Sequence, residues 1–441
     1  MRKTIRIFLN VAIVLSTVLM LAGCAQAPAA ATPQKLTIWM NGRDSWIGPS
    51  EQQLPQDQWY ISQAIKRFEA ANPGVTVEMV VQPDAYKAHE LFRTAALAGN
   101  APDIANLWAG TFIFALKDAI TPITDKIPKA DLDGMVGWDT DTLDFKAGNP
   151  ILGYPTPDNQ MCFFMYNKKI IQEVGLDFEA NPPRTMDDFY ADMEKIKNAG
   201  YIPIATDETA DGYPYYFFQI AAYWWVQQNG IDPILAEDRG QANFADDQAL
   251  LAALDAYHQI WAKGYMNQDA ATSSDSWSKF LQGKVAMVPR VSTFVKDAQK
   301  AMGEENIGVI LPPEISDTAV INNGTIGGPG QVLVVSTNSK NVDLAVKFMS
   351  FLDSKPEVLE LAKFQTKVPI RKDVSAADLG AAPGSVLAKL LDWSQHYVFW
   401  VDNSLSGTVV NDFCTLVPTV LTGKMTPLEF AQQLDKDKGT Q

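Results

Sequence analysis

Two rhythms of apolar and polar positions take turns along this chain. The runs KLTIWM (35–40) and VTVEMVVQ (75–82) read as strands. Between them Ile61, Ala64, Ile65 and Phe68, across a stretch ending AIKRFEAANPG, fall at the 3.6-residue spacing of a helix face. Asn72-Pro73-Gly74 then predicts a helix stop and a turn. AHELFRTAALAGNAPDIANLW (88–108) repeats helix then strand, and so does PRTMDDFYADMEKIKNAG (183–200) before YIPIA. There Thr185 is placed to cap the helix, Asp187 and Asp188 sit at its positive end, and Gly200 ends it. Alternation of this kind is the grammar of an α/β fold.

The amino terminus departs from that grammar. Arg2, Lys3 and Arg6 precede an apolar run from Ile7 to Leu21 that closes on Leu21-Ala22-Gly23-Cys24. This reads as a secretory signal peptide, residues 1–24, ending in a lipobox whose Cys24 thiol takes a diacylglyceryl group. AQAPAAATPQ follows, and residues 25–34 read as a flexible tether. The expectation is a folded body outside the cytoplasmic membrane, on its periplasmic side or at the cell surface, held by one lipid-modified Cys. About 410 residues remain for that body, which points to two lobes rather than one domain.

Composition narrows the function. With 47% hydrophobic and 20% charged residues the chain is globular, and a formal charge of -15 without a basic stripe argues against a nucleic-acid partner. Beyond Cys24 there are only Cys162 and Cys414, which excludes a disulfide framework and leaves open one bridge or two buried thiols. His89, His258 and His396 stand apart, so no metal is expected. GTIGGPGQ (324–331) lacks the lysine and hydroxyl residue of a phosphate loop, and no cofactor is expected. No pair of acids stands in a context that singles it out for glycoside hydrolysis, so an enzyme is not expected.

Nearly the whole of the expected body resembles the family 1 extracellular solute-binding proteins, which include maltose-binding protein. The motifs that carry this resemblance occur in order: LTIWMNGRD, RFEAANPGVTVE, AGNAPDIANLW, GYPTPDNQMCFFMYNKKII, PPRTMDDFYADMEKIKNAG, FLQGKVAMV, IGVILPP and STNSKNVDLAVKFMSFLDSKPE. The resemblance implies a two-lobed α/β fold with a ligand cleft between the lobes. It divides the chain into lobe 1 at 35–153 and 325–370, and lobe 2 at 154–324 and 371–441. It also implies a monomer that closes on a small-molecule sugar and delivers it to the transmembrane subunits of an ABC permease. A carrier for a polyamine or a glycerol phosphate, or a sugar-sensing surface protein, are the alternatives.

Candidate ligand contacts come from both readings. Eleven Trp, 13 Tyr and 21 Phe supply stacking faces for sugar rings, and planar polar side chains supply hydrogen bonds to their hydroxyls. Asn41, Arg43 and Asp44 directly follow the first strand, at the carboxyl end where open α/β sheets bind ligands. The family loop there carries a charged pair of the opposite sign order. Trp108 matches a family tryptophan that stacks beneath a sugar, while Thr111 and Phe112 stand where acidic and basic contacts would fall. Asp158 and Asn159 lie near a family carboxylate; Tyr213 and Tyr215 resemble a segment with a stacking aromatic; and Trp224 and Trp225 follow on the same element. Arg290, after VAMVP, Gly327 and Gly328, at an expected recrossing of the cleft, Arg371, after KVPI, and Trp400 complete the set.

Overall fold

A computed structural model describes residues 33–41, 47, 53–82, 85–138, 148–209 and 212–438, which form two six-stranded sheets covered by helices. The signal peptide, Cys24, and the charged pair Arg43 and Asp44 lie outside the described residues. No helix among the described residues is long and apolar enough to cross a membrane.

The first sheet contains β1 (Gln34–Asn41), β2 (Val75–Gln82), β3 (Ile104–Trp108), β4 (Ile120–Thr121), β5 (Gly153–Pro155) and the late strand β11 (Gln331–Ser336). Its order is β2-β1-β3-β11-β4, with β5 also paired to β11. The three early strands run parallel and β11 runs antiparallel to β3. Helix Tyr60–Ala71 buries Ile61, Ala64, Ile65 and Phe68, the expected stripe, on one face of this sheet. Gly74 then turns the chain at φ +92°, a left-handed value that glycine adopts without strain.

The second sheet contains β6 (Gln160–Asn167), β7 (Ile202–Ile204), β8 (Val285–Val291), β9 (Ile307–Ile310), β10 (Thr325–Gly328) and β12 (Tyr397–Phe399). The order is β12-β10-β6-β8-β7, with β9 also on β6. Every residue of β6 is buried, as befits a central strand covered on both faces. Helix Met186–Asn198 starts as its sequence predicts, with Thr185 Oγ1 accepting the Asp188 N–H at 3.1 Å. Each sheet separates two apolar clusters, so each lobe is three layers thick.

The chain passes between sheets at 156–159, from β5 to β6, and again at 329–330, from β10 to β11. A third passage begins after helix Lys355–Phe364. Val368 enters the second lobe's core, Ile370 the first's, and helix Val386–Trp393 then belongs to the second. The cuts taken from the family differ from this by a few residues: 153/154 falls within β5, and 324/325 leaves β10, a strand of the second sheet, on the first lobe's side, because the chain does not cross until 329–330.

The first and third passages are clasped together. Lys367 Nζ lies 2.9 Å from Asp158 Oδ2, with both side chains almost fully buried at 0% and 1% exposure. The Val368 N–H reaches Asp158 Oδ1 at 3.3 Å, and the Asn159 N–H donates to the Val368 carbonyl at 2.7 Å. Burial pushes the Asp158 carboxyl upward, and Lys367 opposes that push. A buried pair of this kind is costly to break because the remaining charge is stranded. Lys367→Met is therefore expected to lower the unfolding free energy by about 3–5 kcal/mol. Adding Asp158→Leu should recover part of that loss. Urea unfolding midpoints check both, and equal losses for the single and double variants would contradict the pairing.

Candidate functional site

Parallel β1 and β3 deliver their carboxyl ends to one edge of the first sheet, where Asn41 and Trp108 stand. Asn41 is buried, whereas Trp108 keeps part of its surface accessible. The Trp108 backbone N–H donates to His89 Nε2 at 2.9 Å, and its ring meets Phe112 edge-on at 5.0 Å and His89 at 5.4 Å. His89 thus orients the tryptophan.

The same edge carries polar groups that sequence reasoning missed. Gln331 begins β11 opposite Trp108, and Asn106 stands opposite Leu333, so the two amides are diagonal neighbours on one face. Gln331 Oε1 and Asn106 Oδ1 are buried without a hydrogen-bond partner. Trp138 packs edge-on against Tyr154 at 4.9 Å, Tyr154 pairs with Leu333 in the ladder, and the Trp138 indole N–H is likewise buried without an acceptor. Two amide oxygens and an indole N–H are neutral hydrogen-bonding groups of the kind that a polar, uncharged ligand satisfies.

In the second lobe Tyr213 and Tyr215 meet edge-on at 5.2 Å and both remain partly accessible. Arg290, 3% exposed, lies under three rings, with its guanidinium 5.3 Å from Tyr215, 5.4 Å from Trp277 and 5.6 Å from Phe294. It donates to the Pro289 carbonyl at 2.8 Å and to Ser276 Oγ at 2.9 Å, and stands 3.8 Å from the Asp207 carboxylate. Its donors are directed inward, so Arg290 holds the aromatic group together rather than presenting a charge.

Other expected contacts are placed elsewhere. Trp224 and Trp225 are both core residues, at 0% and 1% exposure, with their indoles bonded to the Pro313 carbonyl and the Asp247 carboxylate. Every residue from Ala222 to Gln227 of their helix is buried, which leaves neither tryptophan a face for a cleft. Asp158 and Asn159 belong to the clasp between passages. Arg371 is held by Asp373 at 2.8 Å, Asp131 at 3.5 Å and the Asp353 carbonyl at 3.2 Å. Gly327 and Gly328 allow close approach of protein rather than ligand. A Cβ on Gly327 would stand 2.5 Å from the Gln160 carbonyl, and one on Gly328 2.6 Å from the Tyr397 ring. Trp400 is buried and donates to the Gly328 carbonyl at 3.2 Å, closing over that passage. Cys162 and Cys414 are free, buried thiols. A surface depression lined by Tyr201, Met266, Asn267, Asp269 and Lys279 sits at the amino end of β7, away from the end of β8 that carries Arg290. Among the described residues no group of three His, Cys, Asp or Glu side chains is placed to hold a metal.

Residues 63–386 match the family model described as bacterial extracellular solute-binding protein. The chain belongs to that family. Among relatives of this solute-binding protein is the multiple sugar-binding protein of Streptococcus mutans, 24% identical over 308 residues, covering 66% of this chain and 67% of that one. Solved structures with the same fold include a chitin oligosaccharide binding protein, at TM-score 0.76 and 22% identity over 91% of this chain and 97% of that one. A maltose-bound MalE3 of T. maritima superposes at TM-score 0.73 and 19% identity, over 91% and 98% of the two chains.

Glu208 of the solute-binding protein is fully buried beside the Arg290 group. Burial pushes its carboxyl up to about 7, although Thr206, the Tyr216 N–H and Tyr257 all donate to it. Because the folded protein holds this proton more tightly than the unfolded chain, its contribution to stability is complete below the ordinary Glu range and is lost as pH rises through about 7. The melting temperature is expected to fall between pH 6 and 8, and Glu208→Gln is expected to flatten that slope. An unchanged slope in the variant would count against the assignment.

Proposed function

We propose that this protein captures a neutral mono- or oligosaccharide between its two lobes and hands it to the transmembrane subunits of an ABC importer. The observation that carries the reading is the set of neutral polar groups among the described residues of the first-lobe edge. Asn106, Gln331 and Trp138 offer amide-oxygen and indole groups, and Trp108 an accessible ring. Sugars present apolar C–H faces rimmed by hydroxyls, which suits rings flanked by planar amides. Tyr213 and Tyr215 supply the facing aromatic surface. An anionic solute would call for Arg or Lys donors turned toward it, and the donors of Arg290 turn inward. The names of the S. mutans relative and of the chitin-oligosaccharide and maltose-bound structures support a sugar.

Ligand bound to both lobes stabilises the closed arrangement, and a permease can then distinguish loaded from empty protein. In this reading the chain works as a monomer without turnover of its ligand. The first lobe is 35–153 with 325–370 and the second 154–324 with 371–441, adjusted so that all of β5 goes with the first lobe and β10 with the second. Cys24 carries the lipid that holds the protein at the outer face of the membrane.

A thermal-shift screen of the chain from residue 33 against mono- and oligosaccharides, polyamines and glycerol phosphates tests the proposal, because a ligand that binds only the folded state raises the melting temperature. A sugar response is expected, with at least tenfold weaker affinity in Trp108→Ala. A response only to a polyamine or a phosphate ester would overturn the sugar assignment.

A further inference from the structure

The two lobes also meet away from the clasped passages. The turn after β3, at Gly110 and Thr111 of the first lobe, sits against residues 400–405 of the second. Asn403 Nδ2 bridges the carbonyls of Ala109 at 3.0 Å and Gly330 at 3.1 Å. In return Thr111 Oγ1 donates to the carbonyls of Asn403 at 3.1 Å and Leu405 at 2.5 Å. The fit is close: Gly110, at φ +71°, has the Asn403 carbonyl where a Cβ would stand, 2.2 Å away. Apolar contacts cross as well, since Phe112 packs on the second lobe's core and Phe399 on the first's.

The residue next to Asn403 is the buried acid Asp402, 4% exposed. Its Oδ2 accepts the Tyr213 hydroxyl at 3.1 Å, and the main-chain N–H groups of Asp402 and Asn403 also favour its charged form, but burial outweighs all three. The titratable groups around it are Tyr213, Cys162 of β6 and Cys414 of helix Gly407–Leu421. Burial pushes all three upward, so each stays neutral through pH 5–8. Facing the turn from the first lobe, His89 packs on Phe112 at 5.1 Å and uses Nε2 to accept the Trp108 backbone N–H.

We propose that residues 400–405 are a proton-sensitive latch between the lobes, seated on the Gly110–Thr111 turn when Asp402 is neutral and loosened when it ionises. A carboxylate buried among neutral groups is costly even with these donors, and protonation removes that cost. Burial raises the seated carboxyl to about 6, above the ordinary Asp range. The seated form therefore binds the proton more tightly, and seating strengthens as pH falls through 6. Between pH 7.5 and 5.0 the seated-to-unseated ratio is expected to rise about tenfold. This inference needs no ligand and stands apart from the sugar reading.

Small-angle X-ray scattering of the ligand-free chain at pH 7.5 and 5.0 tests it. The unsubstituted protein is expected to be more compact at pH 5.0, Asp402→Asn equally compact at both values, and Asn403→Ala, which removes the bridge but leaves the acid, expanded at both. His89→Gln should keep the pH response. Identical curves for the unsubstituted protein at the two pH values, or a response that survives in Asp402→Asn, would overturn the proton dependence. An Asn403→Ala protein as compact as its parent would overturn the latch itself.

Discussion

The buried pair of Lys367 and Asp158 is the constraint on which the arrangement of the two lobes depends. Each side chain alone would be a stranded charge in the protein interior, and together they join two chain segments that lie about 200 residues apart in sequence. Around the pair, backbone bonds from Asn159 and Val368 extend the clasp. The passage at 329–330 is fixed differently, by glycines that admit Gln160 and the rings of Tyr397 and Trp400 at distances no side chain tolerates. Two three-layer bodies are thus pinned at their crossing strands and touch again at the Gly110–Thr111 turn, an arrangement compatible with the proposed closure on a ligand.

Much of this was legible in the sequence because local rules and the fold agree. The stripe Ile61, Ala64, Ile65 and Phe68, the Asn72-Pro73-Gly74 stop, and the Thr185 cap all have local causes, and all occur as the pattern implies. What failed were readings that need tertiary context. Trp224 and Trp225 lie on a stretch of helix, Ala222 to Gln227, that is buried throughout, which adjacency to Tyr213 and Tyr215 does not reveal. Asp158 looked like a ligand contact because its partner Lys367 lies in a distant segment. Arg290 looked like a cleft charge because the rings of Tyr215, Trp277 and Phe294 come from three separate stretches.

The neutral groups at the first-lobe edge were missed for the opposite reason. Asn106 interrupts the apolar strand IANLW, and Gln331 opens QVLVVS; a polar residue at such a place is a signal, since burying an unpartnered amide costs free energy unless something satisfies it. Trp138 is buried against Tyr154 from a stretch without strong periodicity, and only the fold shows which sheet face it joins. These residues give the family resemblance a chemical content that its motifs alone did not carry. Under the proposed function, the neutral groups described at that edge and the accessible Trp108 ring suit an uncharged, ring-shaped solute, while buried acids such as Glu208 and Asp402 tie the fold's stability to pH near neutrality.

A crystal structure of the chain grown with an oligosaccharide tests the central claim most directly. The account predicts ligand density between the lobes, with sugar hydroxyls bonded to Gln331, Asn106 or the Trp138 indole and a ring face against Trp108. Density confined to the depression beside β7, or a sugar held without contact to the carboxyl edge of the first sheet, would contradict it.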